Sequence, residues 1–466
     1  MNVVETPVAP VKRVKAYAAS PVVKPAGEHD QAPAWKGWEK TAFRFFFVYF
    51  LIQIVPLDWK YYRDLFEPDG AFLSLRDIFY AARYTPRFFG DVPVFADWGI
   101  AAALAAAATA LWGYWDRERK EYTNLYYALR VILRYRLAFA LLAYALIKFY
   151  PQQMPLPSVG NLNTHYGDIS AWKLFSMSTG IVPGYQSFLG LVEAAAALLL
   201  VYRKTASIGA FIVLPFTGNV LMSNLAYEGG EYVYSLLLIT FAAFVLAYDV
   251  PRLLRLTSFE LPTEPNRYQP VCKADWQRYG RWSLKLLFVA LVGWYGYQSL
   301  QTYRQGGYQF PHAPGLANAA GLYDVHTFRV NGRTISPGAT DAQRWRDVAF
   351  EKWATLSIRT NQPAPLVMAG TEELFANDDD RNYEYAGTTG RHYLRYDADT
   401  INRVLTFRER DSKLLTLHYT RPDTQTITLA GVTAAKDSVY VELRRIDKRY
   451  LLDEAAKVGR RRGLKL

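Results

Sequence analysis

The run RVILRYRLAFALLAYALIK, residues 130–148, decides how the rest of the chain is read. From Leu137 to Ile147 every residue is apolar or aromatic, and three arginines and one lysine bracket the stretch. Taken over 129–150, it supplies the ~20 residues that cross a ~30 Å hydrocarbon core at ~1.5 Å per residue. Charge at the ends of such a segment is tolerable because long side chains reach back to water. Snorkelling accounts for Arg130 and Lys148. Arg134 and Arg136 lie deeper, and charge at that depth is a candidate for function.

Working outward, six more segments share this character: 41–57, 96–114, 183–202, 206–226, 231–249 and 284–302. The expected architecture of 36–302 is an all-α transmembrane helical bundle of about seven spans. Lys and Arg collect before the first span (Lys12, Arg13, Lys15, Lys24, Lys36, Lys40). They recur between the second and third (Arg117, Arg119, Lys120), between the fourth and fifth (Arg203, Lys204) and after the sixth (Arg252, Arg255, Arg267, Lys273, Arg278, Arg281). The intervening connections are poor in both, so the N-terminus is expected in the cytoplasm and the C-terminal domain outside the inner membrane. Tryptophan and tyrosine at the segment ends agree (Trp112, Trp115, Tyr185, Tyr202, Trp294, Tyr297). The proline-interrupted first 35 residues read as a mobile cytoplasmic tail. Residues 71–83 have the pattern of an amphipathic helix that lies in the headgroup layer or caps the bundle.

The net charge of +12 is explained by this topology, with the lipid bilayer as partner and without nucleic acid. A single cysteine, Cys272, excludes an internal disulfide, a CxxC pair and a four-cysteine metal site, and reads as an inert thiol. All six histidines lie outside the proposed spans, which leaves no transmembrane histidine pair for a haem. A phosphate loop in a strand–turn–helix setting and an HExxH motif are both missing, which argues against an ATP-driven pump and a zinc protease. No metal site is expected.

The candidate catalytic residues are Glu193, in the fourth span, and Arg136, in the third, which could meet across the two helices. A structural ion pair and a proton-handling or ligand-binding pair are both open. The fifth span carries GNVLMSNLAYEGG, with Asn219 inside the membrane and Asn224, Tyr227 and Glu228 at its outer end. Amides between transmembrane helices commonly bridge them, a structural role for Asn219. The loop PQQMPLPSVGNLNTHYGD brings Gln152, Gln153, His165 and Asp168 to the same side. Folded back over the bundle, these residues would line an outward cavity with an apolar floor, suited to a quinone or another lipid-soluble molecule.

After a Gly/Pro/Ala-containing linker at 303–320, residues 321–450 change to short alternating segments such as VHTFRVNGRTI, ATLSIRT and SVYVELRRI. Asn331-Gly332 signals a hairpin turn. An all-β barrel or sandwich follows, and about eight evenly spaced strands favour a small lipocalin-like barrel. Asp341, Arg344, Trp345 and Asp347 read as strand-edge packing, and Asp378 to Asp380 as a solvated acidic turn. Residues 451–466 form a basic flexible tail that would touch anionic headgroups.

The pattern RYRLAFALLAYALIKFYPQQMPLPS, then GDISAWKLFSMSTGIVPGYQSFLGLVEAAAALLLVYRKTASIGA, NVLMSNLAYEGG and YDVPRLLRL, resembles the DoxX-like integral membrane family, in particular larger bacterial members with an added β domain. The resemblance covers about a quarter of the chain and implies a four-helix core at about 128–256. It implies a subunit of a quinone-linked oxidoreductase system, whose electrons would come from a partner subunit or soluble donor. Similar proteins end the fifth-span motif in Asn–x–x–Tyr–Asp, where this chain has Asn224, Tyr227 and Glu228. The rival expectations are a non-catalytic anchor that presents a periplasmic β domain to envelope proteins, and a small-molecule transporter, whose expected inverted repeats are not seen.

Overall fold

The computed structural model describes residues 35–57, 59–65, 73–90, 92–264, 274–338, 341–368, 374–375, 377–409, 412–433 and 435–458. The expectations for residues 1–34, for Cys272 and for 459–466 lie outside these residues. In chain order the helices are α1 (Gly37–Ile54), α2 (Trp59–Leu65), α3 (Leu75–Arg83), α4 (Phe95–Trp115), α5 (Thr123–Phe149), α6 (Val159–Leu162), α7 (Ala171–Gly180), α8 (Pro183–Val201), α9 (Ala206–Ala226), α10 (Tyr232–Ala247), α11 (Val250–Thr257), α12 (Asp275–Arg304) and α13 (Leu451–Val458). Helices occupy all seven expected positions. Three of them, α4, α8 and α9, are each long and apolar enough to cross a membrane, and α10 with α11, bent by 68°, make a fourth if taken as one span. These are the dimensions of a membrane protein. Charge disqualifies α1 (Glu39, Lys40, Arg44) and α5 (Arg130, Arg134, Arg136, Lys148) from the same class.

Helix α5 is the axis of the bundle. Leu129, Leu133, Leu137, Ala140 and Ala145 are completely buried along it, among α1, α8, α9 and α10. Its arginines complete the ends of other helices, whose last carbonyls have no partner within their own helix and carry the negative pole of the dipole. Arg134 donates to the carbonyls of Leu200 and Val201 at the end of α8, both at 2.9 Å. Arg136 donates to Ala82 (2.6 Å) and Tyr84 (2.7 Å) at the end of α3. Arg130 reaches the Val245 carbonyl (3.2 Å) and Asp249 (3.3 Å) where α10 ends, so it is a helix-closing group and not a snorkelling one.

The amphipathic helix expected over 71–83 forms as α3, with residues 71 and 72 outside the described set. It buries Ile78, Phe79 and Ala82 against Ala143, Ile147 and Tyr295, so it packs into the bundle and is not a surface helix. Small residues set the closest helix approaches. A Cβ on Gly190 of α8 would lie 2.5 Å from both the Ala145 carbonyl oxygen and the Phe149 nitrogen of α5.

The C-terminal domain comprises β1 (Gly321–Val330), β2 (Arg333–Thr334), β3 (Asp347–Phe350), β4 (Thr355–Arg359), β5 (His392–Asp399), β6 (Val404–Glu409), β7 (Ser412–Thr420), β8 (Thr426–Thr433) and β9 (Ser438–Arg445). All pairings are antiparallel between neighbours, with β2 a short flap on β1, and β1 pairs with β9. The domain is therefore a closed eight-stranded barrel, the barrel form of the expectation and not the open sandwich. Asn331 and Gly332 both have positive φ (51° and 76°) and form the hairpin turn. Its interior is filled by Phe328, Phe350, Leu356, Phe407, Leu429 and Val441 with their neighbours.

The barrel is welded to the bundle through buried polar groups. Residues 303–320, expected to be a linker, instead pack: Phe310 stacks on Trp353 at 4.2 Å, and Gln309 donates to the Gln153 carbonyl at 2.7 Å. Glu351 accepts the backbone N–H groups of Val159 (3.0 Å) and Gly160 (2.7 Å) at the start of α6. Asn161 donates to the Glu384 carbonyl (2.8 Å), while the Glu384 carboxyl accepts from Trp353 (2.7 Å) and Thr355 (3.0 Å). From α7, the fully buried Lys173 donates to the Tyr383 carbonyl and lies 3.6 Å from that ring's centre, and Ser176 pairs with the Tyr383 hydroxyl at 2.8 Å. Asp347, read as strand-edge packing, joins Arg391 (2.6 Å) and Arg359 in a buried ionic group.

Burial, with the nearby Glu351, raises the Glu384 carboxyl from its ordinary value near 4.5 to about 8. Folding takes up a proton here, so the associated stability is complete below pH 4.5 and is lost as pH rises through about 8. Burial lowers Lys173 from 10.5 to about 7, so its penalty is full below pH 7 and eases only above it. Between pH 5 and 7 the Glu384 effect stands alone of the two. Over that range the stability of the full-length protein should fall with rising pH, by up to about 1.4 kcal/mol per pH unit from this group, which lowers the thermal midpoint, and Glu384→Gln should flatten the slope. Gly190→Val should cost about 3 kcal/mol by parting α5 from α8. Gly218→Ala, inside α9 where a Cβ meets nothing within 4 Å, should not lower the midpoint in the same melting experiment and should raise it slightly, since Ala is favoured over Gly within a helix by about 0.5–1 kcal/mol.

Candidate functional site

Toward the barrel, α5, α7, α8, α9 and α10 enclose a cavity of about 170 Å³. Its apolar surface comes from residues such as Leu141, Leu189, Phe216, Val220 and Leu238, one or two from each long helix. Helix α7 closes the barrel side. Trp172, Phe175 and Thr179 form the stripe that faces the cavity, while Lys173 and Ser176 face the barrel.

Set into this apolar wall is an ion pair. Lys148 Nζ lies 2.6 Å from Glu193 Oε1, with both side chains largely buried. The second carboxylate oxygen, Oε2, is buried and accepts no hydrogen bond among the described residues. Tyr144, one turn before Lys148, is on the same stripe of α5 and donates to Glu231 at 3.1 Å. Arg83 of α3 pairs with Glu231, and Asn224 accepts from the Glu231 backbone N–H at 3.1 Å. Tyr227 stacks on Phe175 at 4.8 Å.

Of the expected site residues, Glu193, Asn219, Asn224, Tyr227 and Gln153 line this one cavity. Gln152 is buried just outside it, donating to the Ser299 carbonyl at 3.2 Å. Glu228 is exposed with φ of 57°, His165 stands beside Arg359 of the barrel, and Asp168 receives the Thr389 N–H on its backbone carbonyl (2.9 Å). None of these three lines the cavity.

Arg136 does not meet Glu193. The antiparallel register sets Gly190 against Ala145 and Phe149, and Leu200 against Arg134, so Glu193 is level with the turn near Tyr144. Arg136 is about two turns away along α5, occupied by the end of α3. Lys148 supplies the counter-charge because helical side chains lean toward the N-terminal turn. Snorkelling was the wrong account of that lysine. Glu231, Tyr144 and Arg83 were also missed, although the spacing of Tyr144 and Lys148 could have marked α5 as a polar stripe.

A buried ammonium that donates and an unfilled carboxylate oxygen that accepts, side by side in an apolar chamber, suit a molecule with an apolar body and an oxygen-bearing head. Among the described residues no group of three or more His, Cys, Asp or Glu is placed to hold a metal ion.

Comparison with known proteins adds little to this geometry. No family model and no solved structure matches the chain. A stretch of 79 residues, 17% of the chain, is 32% identical to the "Uncharacterized protein YwoB" of Bacillus subtilis (strain 168), and spans 49% of that protein. The chain thus matches about half the length of this curated relative.

Proposed function

We propose that this is a seven-crossing bacterial inner-membrane protein, cytoplasmic at its N-terminus, whose outer-half cavity receives a quinone-type molecule for a quinone-linked oxidoreductase system. The observation that carries the reading is the Lys148–Glu193 pair with one buried carboxylate oxygen left open at the cavity wall. A quinone carbonyl fits the ammonium, and a hydroquinone hydroxyl fits the open oxygen. Bound there, such a molecule would supply two-electron, two-proton chemistry. The chain's own residues would orient its head, exclude water through α7 and hold a proton at Glu193 Oε2. Electrons would pass to or from a partner subunit or soluble donor. The DoxX-like core at 128–256 belongs to the same proposal, and α5, α8, α9 and α10 are its four helices.

The buried weld favours a second reading, in which the bundle is a rigid anchor that presents the barrel to envelope proteins. Purified protein incubated with a short-chain benzoquinone separates the two. Under the first reading Glu193→Gln and Asn219→Leu remain folded and lose retention, Glu193→Gln by about tenfold, the worth of a hydrogen bond to a charged group. Retention by both variants equal to that of the parent would leave the anchor reading.

A further inference from the structure

On the basis of the quinone reading, we infer that the cavity opens sideways to the outer leaflet through a window between α8 and α9, and that its ligand carries an apolar chain that stays in that window. The size of the cavity is the first ground. An apolar cavity of ~150 Å³ holds one benzene ring. The space of about 170 Å³ beside Lys148 and Glu193 therefore takes a single six-membered ring with its oxygens and little more. A chain attached to that ring has to leave. The rim shows where, because Phe175, Thr179, Tyr185 and Tyr227 also line a second hollow, of about 740 Å³, between the α7–α8 turn and the outer end of α9. The Phe175–Tyr227 stack is part of both walls.

The helices that flank this passage are joined at one end and parted at the other. Near its start α9 meets α8 at Gly209, where a Cβ would lie 2.8 Å from the Ala196 carbonyl oxygen and 2.9 Å from the Leu200 nitrogen. Toward their outer ends the cavity comes between them, with Gln186 and Leu189 on α8 and Phe216 and Val220 on α9. By the charge asymmetry of the connections, the parted ends face the outer leaflet.

An exposed amide marks the opening. Thr217 and Asn219 both line the cavity and stand ~200° apart around α9, on the two edges of its cavity face. Thr217 is buried, whereas Asn219 is exposed. Asn219 lies seven residues before Ala226, the end of α9, and so ~10 Å inside it. The bond it shares with Ser223 uses its backbone carbonyl, and its side-chain amide has no hydrogen-bond partner among the described residues. It bridges no pair of helices. The exposed side chains around it, Phe188 and Leu191 on α8 and Met222 on α9, make a lipid-facing surface. An amide turned to hydrocarbon with nothing to bond is costly. An oxygen-bearing ring at the cavity edge gives it an acceptor, while the chain of that ring passes out beside Tyr185 and Tyr227. The other approach is closed by α7, which is bonded to the barrel through Lys173 and Ser176.

The test compares two quinones with one head, a dimethoxy-methyl benzoquinone without a side chain and the same ring carrying a decyl chain. Each is incubated with the purified full-length protein in mild detergent, and the quinone that survives gel filtration is quantified by absorbance. Gly184→Trp puts an indole in the outer hollow, where a Cβ now meets nothing within 4 Å, and leaves the Lys148–Glu193 pair in place. It should lower retention of the decyl quinone about tenfold, the effect of forcing about two methylenes out of contact, and that of the chainless quinone by no more than about twofold. Ser178→Trp, on the exposed wall of the same hollow, should act alike and replaces Gly184→Trp if that variant does not fold. Loss of neither quinone, or equal loss of both, would overturn the window and leave the quinone reading standing. A parent protein that runs as a dimer and becomes monomeric in Asn219→Leu would also overturn it, the amide then being answered by a second copy. Failure of the parent to retain either quinone would defeat the quinone reading and the window with it.

Discussion

Three arginines on one helix close the ends of three others, and much of the bundle is arranged around that requirement. In an apolar medium an unsatisfied carbonyl has no water to turn to, and the end of a helix exposes several together. Arg130, Arg134 and Arg136 on α5 meet the ends of α10, α8 and α3 in turn. Each guanidinium offers several donors in a fixed fork, enough for two carbonyls at once, which a lysine ammonium would engage less specifically. The positive charge is also matched to the negative pole of the dipole it faces. These contacts fix how far each helix extends and at what level it stops. The level of α8 then determines which residue of α5 stands beside Glu193.

The same logic of satisfied polar groups governs the other junction. The apolar part of the joint is a small aromatic cluster of Trp172, Phe310, Tyr383 and Trp353, and buried polar groups surround it. The barrel is held by Glu351 on the start of α6, by Asn161 on Glu384 and by Lys173 and Ser176 on Tyr383. Buried polar contacts of this kind contribute little net stability compared with a hydrophobic joint, but each is geometrically demanding, so only one docking satisfies them all. Orientation is what such a joint provides, and Trp172 and Phe175 reach the cavity because α7 is held in that orientation.

Much of this was legible in the amino-acid order. Helices form at all seven positions expected from apolar length, although only α4, α8 and α9, with α10–α11 as a bent fourth, are apolar enough to cross a membrane. The barrel follows from alternation and the Asn331-Gly332 turn, and Glu193, Asn219, Asn224, Tyr227 and Gln153 line one cavity. The partner of Glu193 was not legible, because it depends on an interhelical register set by Gly190, a contact no single-helix pattern contains. Lys148 was hidden by a sufficient local explanation, since a lysine near a helix end can reach water. The weld was invisible for a different reason. Lys173 and Tyr383, or Asn161 and Glu384, lie more than two hundred positions apart, and their composition alone marks them as ordinary surface residues. Likewise the Gly/Pro content of 303–320 reads as a loose connection, and only the stacking of Phe310 on Trp353 shows it to be packed.

Helix α7 joins the two halves mechanically. At ten residues it is too short to be stable alone, and its conformation is owed to packing on both sides. One stripe lines the cavity and the next is bonded to Tyr383, so a displacement that suits one side is felt by the other. Occupancy of the cavity and seating of the barrel are therefore not independent equilibria. Whatever free energy a cavity ligand gains from the present position of Trp172 and Phe175 is also free energy that favours the docked barrel, and the reciprocal dependence follows by linkage.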